Sequence, residues 1–226
     1  MSYLIVVAHP DDEVLGAGGT IYSLAKRGEE VNVCILCSEV EVRNFRPTTE
    51  ELNSDIHEAN KLIGVKEIYL GGFPNIALNT VRQLDLVQYI EKIMMETKAH
   101  TLITHHPGDL NNDHHHVSIA CQAASRLFQR RNDVVQLKEL LFMEIPSSTE
   151  WALNSSLNSF TPNLYFEIGE DGIDRKIESL WKYRGVMRDY PHPRSNENIK
   201  SLATYRGSQS GLIYAEAFEN VFRRVF

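Results

Sequence analysis

The segment "LIVVAHPDDEVLGAGGT", Leu4 to Thr20, runs from apolar residues straight into one histidine and three carboxylates. A histidine and carboxylates suit a borderline-soft divalent ion such as zinc. Pro10 stiffens the turn, and His9 and Asp12, three apart, can reach one ion across it. A plainer role is also open. Asp11 or Asp12 could cap a following helix, with acidic groups meeting its positive end. A cap uses one aspartate, however, and leaves the histidine and the other acids unexplained.

The second concentration of chemistry is "THHPGDLNNDHHHV", which holds five of the nine histidines. A chance surface cluster is the bland alternative. A histidine entering the helix after this loop would complete a set of two histidines and one carboxylate with an open position for water, the pattern of a catalytic zinc site. Successive helical residues diverge by about 100°, so His114, His115 and His116 cannot all face one ion.

Three further motifs call for other readings. Cys34 and Cys37 form C-x-x-C, but on an apolar strand they point to opposite faces and read as small core residues. "GAGG", Gly16 to Gly19, departs from G-x-G-x-x-G, and acids precede it where a pyrophosphate would bind. Close helix packing explains it better. "YPHPRS" sets His192 and Arg194 among prolines. By itself it is a rigid turn; beside a metal it offers His192 as an acid or oxyanion donor and Arg194 as a substrate contact. Arg43 and Arg46, in a polar loop, are candidates to clamp a phosphate or carboxylate of the substrate, or are solvated loop arginines.

These residues need elements to hold them. Tyr3–Ala8 is a short β-branched run, expected as a buried parallel strand. A helical stripe follows to Gly28. Strands are expected over Val31–Cys37, Val65–Leu70 and Ala99–His106, with amphipathic helices over Thr48–Gly64 and Thr80–Thr97. An Ala-rich helix runs to about Phe128. Val134–Pro146 and Asn163–Ile168 read as later strands, Asp171–Met187 and Asn196–Tyr205 as helices. "AFENVFRRVF" is either a core element or an interface. This alternation predicts an α/β, Rossmann-like three-layer sandwich with a mostly parallel sheet. Ligands in such sheets sit beyond the carboxyl ends of the strands, where the polar clusters fall. No linker divides the 226 residues, so one domain is expected over 1–226.

Composition narrows the classes of function. The formal net charge of -7 argues against broad binding to nucleic acid or anionic membranes. No apolar stretch approaches the roughly 20 residues of a membrane span, and the start lacks the features of a signal peptide. Three cysteines suggest a reducing compartment without a disulfide framework. A cytoplasmic location is expected; association into a homo-oligomer is open.

"AHPDDEVLGAGGT" followed by "DLNNDHHHV" resembles the PIG-L/LmbE-like family of zinc-dependent N-deacetylases, and "EIPSSTEW", "PHPRS" and "YAEAF" extend the likeness along the chain. The resemblance implies zinc on His9, Asp12 and His114, with Asp11 as general base; Fe(II), Co(II) or Mn(II) suit the same ligands. It implies a Rossmann-like sandwich and removal of an N-acetyl group from an amino sugar or its nucleotide or glycoside conjugate. An amidase acting on a glucosaminyl conjugate in thiol biosynthesis is the nearest rival. A non-catalytic metal- or nucleotide-binding module is the rival from another class. The chain departs from the family pattern at Asn111, where many members carry a supporting histidine. Asn111 is a candidate substrate contact, and Asp109, His105, His106 or His192 are candidates for the missing role. Glu13 reads as a helix-start residue that orients its neighbours, and Asp113 as a hydrogen-bonding partner behind the ligands.

Overall fold

The computed structural model describes residues 1–38, 47–153 and 159–225. The elements are β1 (Ser2–Val7), α1 (Asp12–Lys26), β2 (Glu30–Ile35), α2 (Thr49–Leu62), β3 (Glu67–Leu70), a 3-10 turn (Leu78–Thr80), α3 (Gln83–Thr97), β4 (Thr101–His105), α4 (Asn112–Ala124), the single turn α5 (Leu127–Arg130), β5 (Glu139–Met143), β6 (Leu164–Glu167), α6 (Gly169–Leu180), α7 (Asn196–Ser210) and β7 (Ala215–Arg223).

Seven described strands form one sheet in the order β3-β2-β1-β4-β5-β7-β6. The first five are parallel, and β7 runs antiparallel between β5 and β6. Fully buried β1 shows why both faces are covered. Tyr3, Ile5 and Val7 pack with side chains of α1, α2, α6 and α7, whereas Leu4, Val6 and Ala8 pack with those of α3 and α4. This is the three-layer α/β sandwich expected from the β-α alternation, with period-two burial feeding two separate cores.

Several expected boundaries moved. The helix expected over Asp171–Met187 ends at Leu180, and the strand expected over Val134–Pro146 is confined to Glu139–Met143. The C-terminal run is a core strand, β7, with Phe218 wholly buried. Its apolar residues fill the gap between β5 and β6.

The strand order turns between β1 and β4: the chain first builds outward through β2 and β3, then returns to the other side of β1. Segments leaving β1 and β4 therefore diverge to opposite faces and open a crevice at their carboxyl ends.

Candidate active site

The chain leaving β1 turns sharply before α1. Asp11 takes φ 112°, ψ -30° and makes no side-chain cap bond to the helix. A non-glycine residue there stores strain of about 1–3 kcal/mol, which surrounding contacts must hold. The Asp12 carboxylate turns back instead, accepting the His9 N–H at 2.9 Å. The helix-cap role considered for these aspartates is therefore not what they do. Glu13 supplies the local support, its Oε2 accepting the Asp11 N–H at 3.1 Å.

Across the crevice, Asn111 caps α4 by accepting the Asp113 N–H at 2.9 Å, and His114 enters in the first turn. His9 Nδ1, Asp12 Oδ2 and His114 Nε2 then converge. His9 to Asp12 is 3.3 Å, His114 to Asp12 is 3.1 Å, and His9 to His114 is 3.3 Å. All three residues are buried. Ligand atoms about 2.1 Å from one ion at near-tetrahedral angles stand about 3.2–3.5 Å apart, so these donors fit a common divalent ion.

The far side of each imidazole faces a carboxylate. His9 Nε2 lies 3.0 Å from Asp113 Oδ2, which also accepts the Ile76 N–H at 2.6 Å. His114 Nδ1 lies 3.1 Å from Asp109 Oδ1, at the distance though not the angle of a hydrogen bond. Such partners fix which imidazole nitrogen faces a metal. His9 Nε2, Cys37 Sγ and Asp113 form a second grouping with metal-binding residue types. Burial, reinforced by Asp113, pushes the Cys37 thiol well up and away from a ligating thiolate. Cys37 packs in the core, as expected, but in the same cluster as Cys34 rather than on the opposite face, because β2 ends at Ile35; it also lines the crevice.

Electrostatics mark the same centre. Burial opposes charge on His114, but Asp12 and Asp109 override it and raise its pKa to about 10. Burial likewise works against His9, and Asp113 and Asp12 carry it upward. Burial would raise Asp12; the imidazole of His114, then that of His9, pull it well below the carboxylate range. The cluster favours positive charge at its middle, which a divalent cation supplies.

The other histidines separate by direction. His105 is fully buried, its Nε2 accepts the Ala8 N–H at 2.8 Å, and its ring stacks on His114 at 3.8 Å. Burial and the neighbouring His114 push it down to about 3, so it is a neutral wall. His106 turns away between Phe142 and Phe160, near Glu219. His115 is exposed against Pro107 O, and His116 faces Gln83.

His9, Asp11, Asp12, Asn111, His114 and Arg194 line one cavity, of about 840 Å³ with its open mouth included. Arg194 Nη1 lies 3.1 Å from Asp11 Oδ2, and its Nε donates to Ser147 Oγ at 2.6 Å. His192 is not among the lining residues. Its Nδ1 accepts the Arg194 N–H at 3.0 Å and its ring lies edge-on to Trp151. Arg43 and Arg46 lie outside the described residues.

In and behind the cavity lining are groups that sequence reasoning missed. Tyr183 donates its hydroxyl to Glu13, and Asn60 Nδ2 donates to the same carboxylate at 2.9 Å. Burial is the main reason that Glu13 rises to about 7. Asn75 lines the cavity with its buried Oδ1 unpartnered, and Asp55 accepts the Arg184 N–H at 3.2 Å. Asn75 had a usable signal: it follows β3 at the strand edge where ligands gather. Asn60 and Tyr183 had none, being polar residues that meet only after folding.

Comparison with known proteins adds the ancestry. A 1D-myo-inositol 2-acetamido-2-deoxy-alpha-D-glucopyranoside deacetylase from Corynebacterium glutamicum is 26% identical over 209 residues, covering 77% of this chain and 71% of its own. An N,N'-diacetylchitobiose deacetylase from Pyrococcus horikoshii superposes with TM-score 0.77 at 18% identity, over 97% of this chain and 83% of that one. GalB, a 4-carboxy-2-hydroxymuconate hydratase from Pseudomonas putida KT2440, superposes equally well, with TM-score 0.77 at 20% identity over 100% and 98% of the chains. The two superpositions establish the fold and, between them, span two reactions. The sequence match is narrower: the model of the PIG-L family, GlcNAc-PI de-N-acetylase, covers residues 4–125, from β1 to the end of α4, and the chain belongs to that family.

Proposed function

We propose that this chain is a metal-dependent hydrolase that removes the N-acetyl group from an N-acetylated amino sugar, or from its nucleotide or glycoside conjugate, and releases acetate. The observation that carries the reading is the convergence of His9, Asp12 and His114 within 3.1–3.3 Å, beside Asp11 in one cavity. The family match and the Corynebacterium glutamicum deacetylase support the reaction. That relative's named substrate also keeps a glucosaminyl–inositol conjugate among the candidates.

His9, Asp12 and His114 would hold the ion, and zinc suits two imidazoles and a carboxylate, with Fe(II), Co(II) and Mn(II) as competitors. When bound, the ion supplies Lewis acidity that acidifies water and polarises the acetamide carbonyl. Asp11 does not complete the ligand triangle; it faces the cavity from the strained turn. It accepts the proton of the attacking water and passes it to the amine nitrogen as the C–N bond breaks.

Acetate release should be measured across GlcNAc, UDP-GlcNAc and N-acetylglucosaminyl–inositol with the zinc-loaded protein. One of these is expected to be turned over, and chelation should abolish turnover until metal is restored. The Asp11→Asn variant should keep its zinc and lose about 10²- to 10⁴-fold in kcat. Near-normal turnover by that variant would remove Asp11 as the base. A zinc-loaded protein that releases acetate from none of the substrates would favour a binding module instead.

A further inference from the structure

The site contains a hydrogen-bond donor that is built in rather than added by substrate. Asn111, at the cap position of α4, lines the cavity together with His114 in the first turn of that helix. Its amide cannot flip freely. Oδ1 must be the atom that accepts the Asp113 N–H, because only the oxygen can accept, and that bond is 2.9 Å long. The backbone is fixed too, since the Asn111 N–H donates to Asp109 Oδ1 at 2.8 Å. Asp109 is itself held by Ser148 and by Thr149 Oγ1, and it faces His114. The Nδ2 amide group is thus left as the free end, with no protein acceptor among the described residues.

Most other polar groups around the cavity are already committed; the exception is the Asn75 amide, whose Oδ1 has no partner among the described residues to fix its direction. The Tyr183 hydroxyl donates to Glu13, and Arg194 spends Nε on Ser147 and Nη1 on Asp11. The Ser148 hydroxyl donates to Asp109, and the Arg184 guanidinium faces Asp55.

We propose that Asn111 Nδ2 is a catalytic hydrogen-bond donor to the acetamide carbonyl oxygen, strengthening as that oxygen gains negative charge. The inference rests on the deacetylase reading above. Water oxygen bonds to the carbonyl carbon, and its proton goes to Asp11. The C–N electron pair leaves with the amine, which takes that proton, and the carbonyl oxygen returns to a double bond in acetate. Asn111 gives up no proton at any stage. A neutral donor fixed before reaction needs no reorganisation when charge develops, and removing one such donor typically costs about 10²- to 10³-fold in kcat.

Capping and donation separate cleanly by substitution. Aspartate and serine cap helices about as well as asparagine but withdraw the amide. N111D and N111S should therefore fold and bind zinc as the parent does, and lose about 10²-fold or more in kcat with KM changed far less. Acetate, the product and a mimic of the carbonyl oxygen, provides a second readout that needs no identified substrate. The zinc-loaded N111S protein should bind acetate about tenfold more weakly than the parent, by calorimetry. If N111S keeps both kcat and acetate affinity, or if the zinc-loaded parent binds no acetate, the inference is overturned. Should the parent bind acetate in an Asn111-dependent way yet turn over no amino sugar, the deacetylase reading falls and takes the catalytic role with it, while the hydrogen bond from Asn111 to a bound carboxylate or carbonyl oxygen stands.

Discussion

Asp11 is held from both ends. Glu13 takes its N–H, and Arg194, itself anchored on Ser147, takes its carboxylate. A residue at φ 112° keeps its direction only while such contacts hold it. Arg194→Met is therefore expected to reduce kcat by about 10- to 100-fold at unchanged zinc content, the loss expected of a mispositioned group. His192→Ala, which removes an acceptor for the Arg194 N–H and a ring contact with Trp151, should do less; the reverse ranking in steady-state kinetics would return His192 to the centre. His114 makes a second prediction. Its pKa is about 6.5 unfolded and about 10 in the metal-free fold, so its stabilising contribution is complete below pH 6.5 and lost as pH rises toward 10. Metal must displace that proton, so the two effects have opposite sign. Zinc affinity should rise about tenfold per pH unit for each proton released between pH 6.5 and 7.5. Competition with a chelator at the two pH values measures it, and a flat response would contradict the protonated state of His114.

At the scale of elements, α1 shows what local pattern reveals and what it conceals. The glycine run reads correctly as close packing: a Cβ on Gly19 would stand 2.8–3.1 Å from Ile168 side-chain atoms. Gly19→Ala should cost about 1–3 kcal/mol, read from the denaturation midpoint. Nothing in the pattern announces the buried pair that grips the same helix. Lys176 Nζ donates to Leu15 O at 2.8 Å and also to Glu216, whose carboxylate accepts the Gly19 and Thr20 N–H groups at 3.1 and 2.7 Å. Lys176 lies on amphipathic α6, where a lysine usually points to water, and its partner is on β7. Lys176→Met leaves a buried carboxylate short of its cation and should destabilise by about 3–5 kcal/mol. A change under 1 kcal/mol would mean that the backbone N–H groups alone satisfy Glu216. The helix boundaries were misjudged for a related reason: apolar residues beyond Leu180, such as Tyr183 and Met187, continue the helical period but serve loop packing.

Across the whole molecule, legibility follows sequence distance. The parallel half of the sheet is written in short β-branched runs separated by helices, and the first metal-binding motif sits within five residues. The choice of His114 among three neighbours and the departure at Asn111 came from family likeness, and only the folded cavity shows what surrounds them. The antiparallel strand β7 was harder to see because its partners, β5 and β6, are set by three-dimensional closure rather than by local pattern. That closure bears on how the chain unfolds. The C-terminal strand lies inside the sheet, and its Glu216 joins α1 from the first fifth of the chain to α6 from the last third. Neither half can separate without exposing β5 and breaking the buried pair, so residues 1–226 should behave as one cooperative unit. Calorimetry of the metal-free protein is expected to show a single transition whose calorimetric and van't Hoff enthalpies agree. Zinc should raise that transition by mass action without splitting it, because ligands from β1 and α4 belong to the same unit. Two resolved transitions, with only one moving on zinc addition, would instead divide the chain into a metal-binding half and a separately folding remainder.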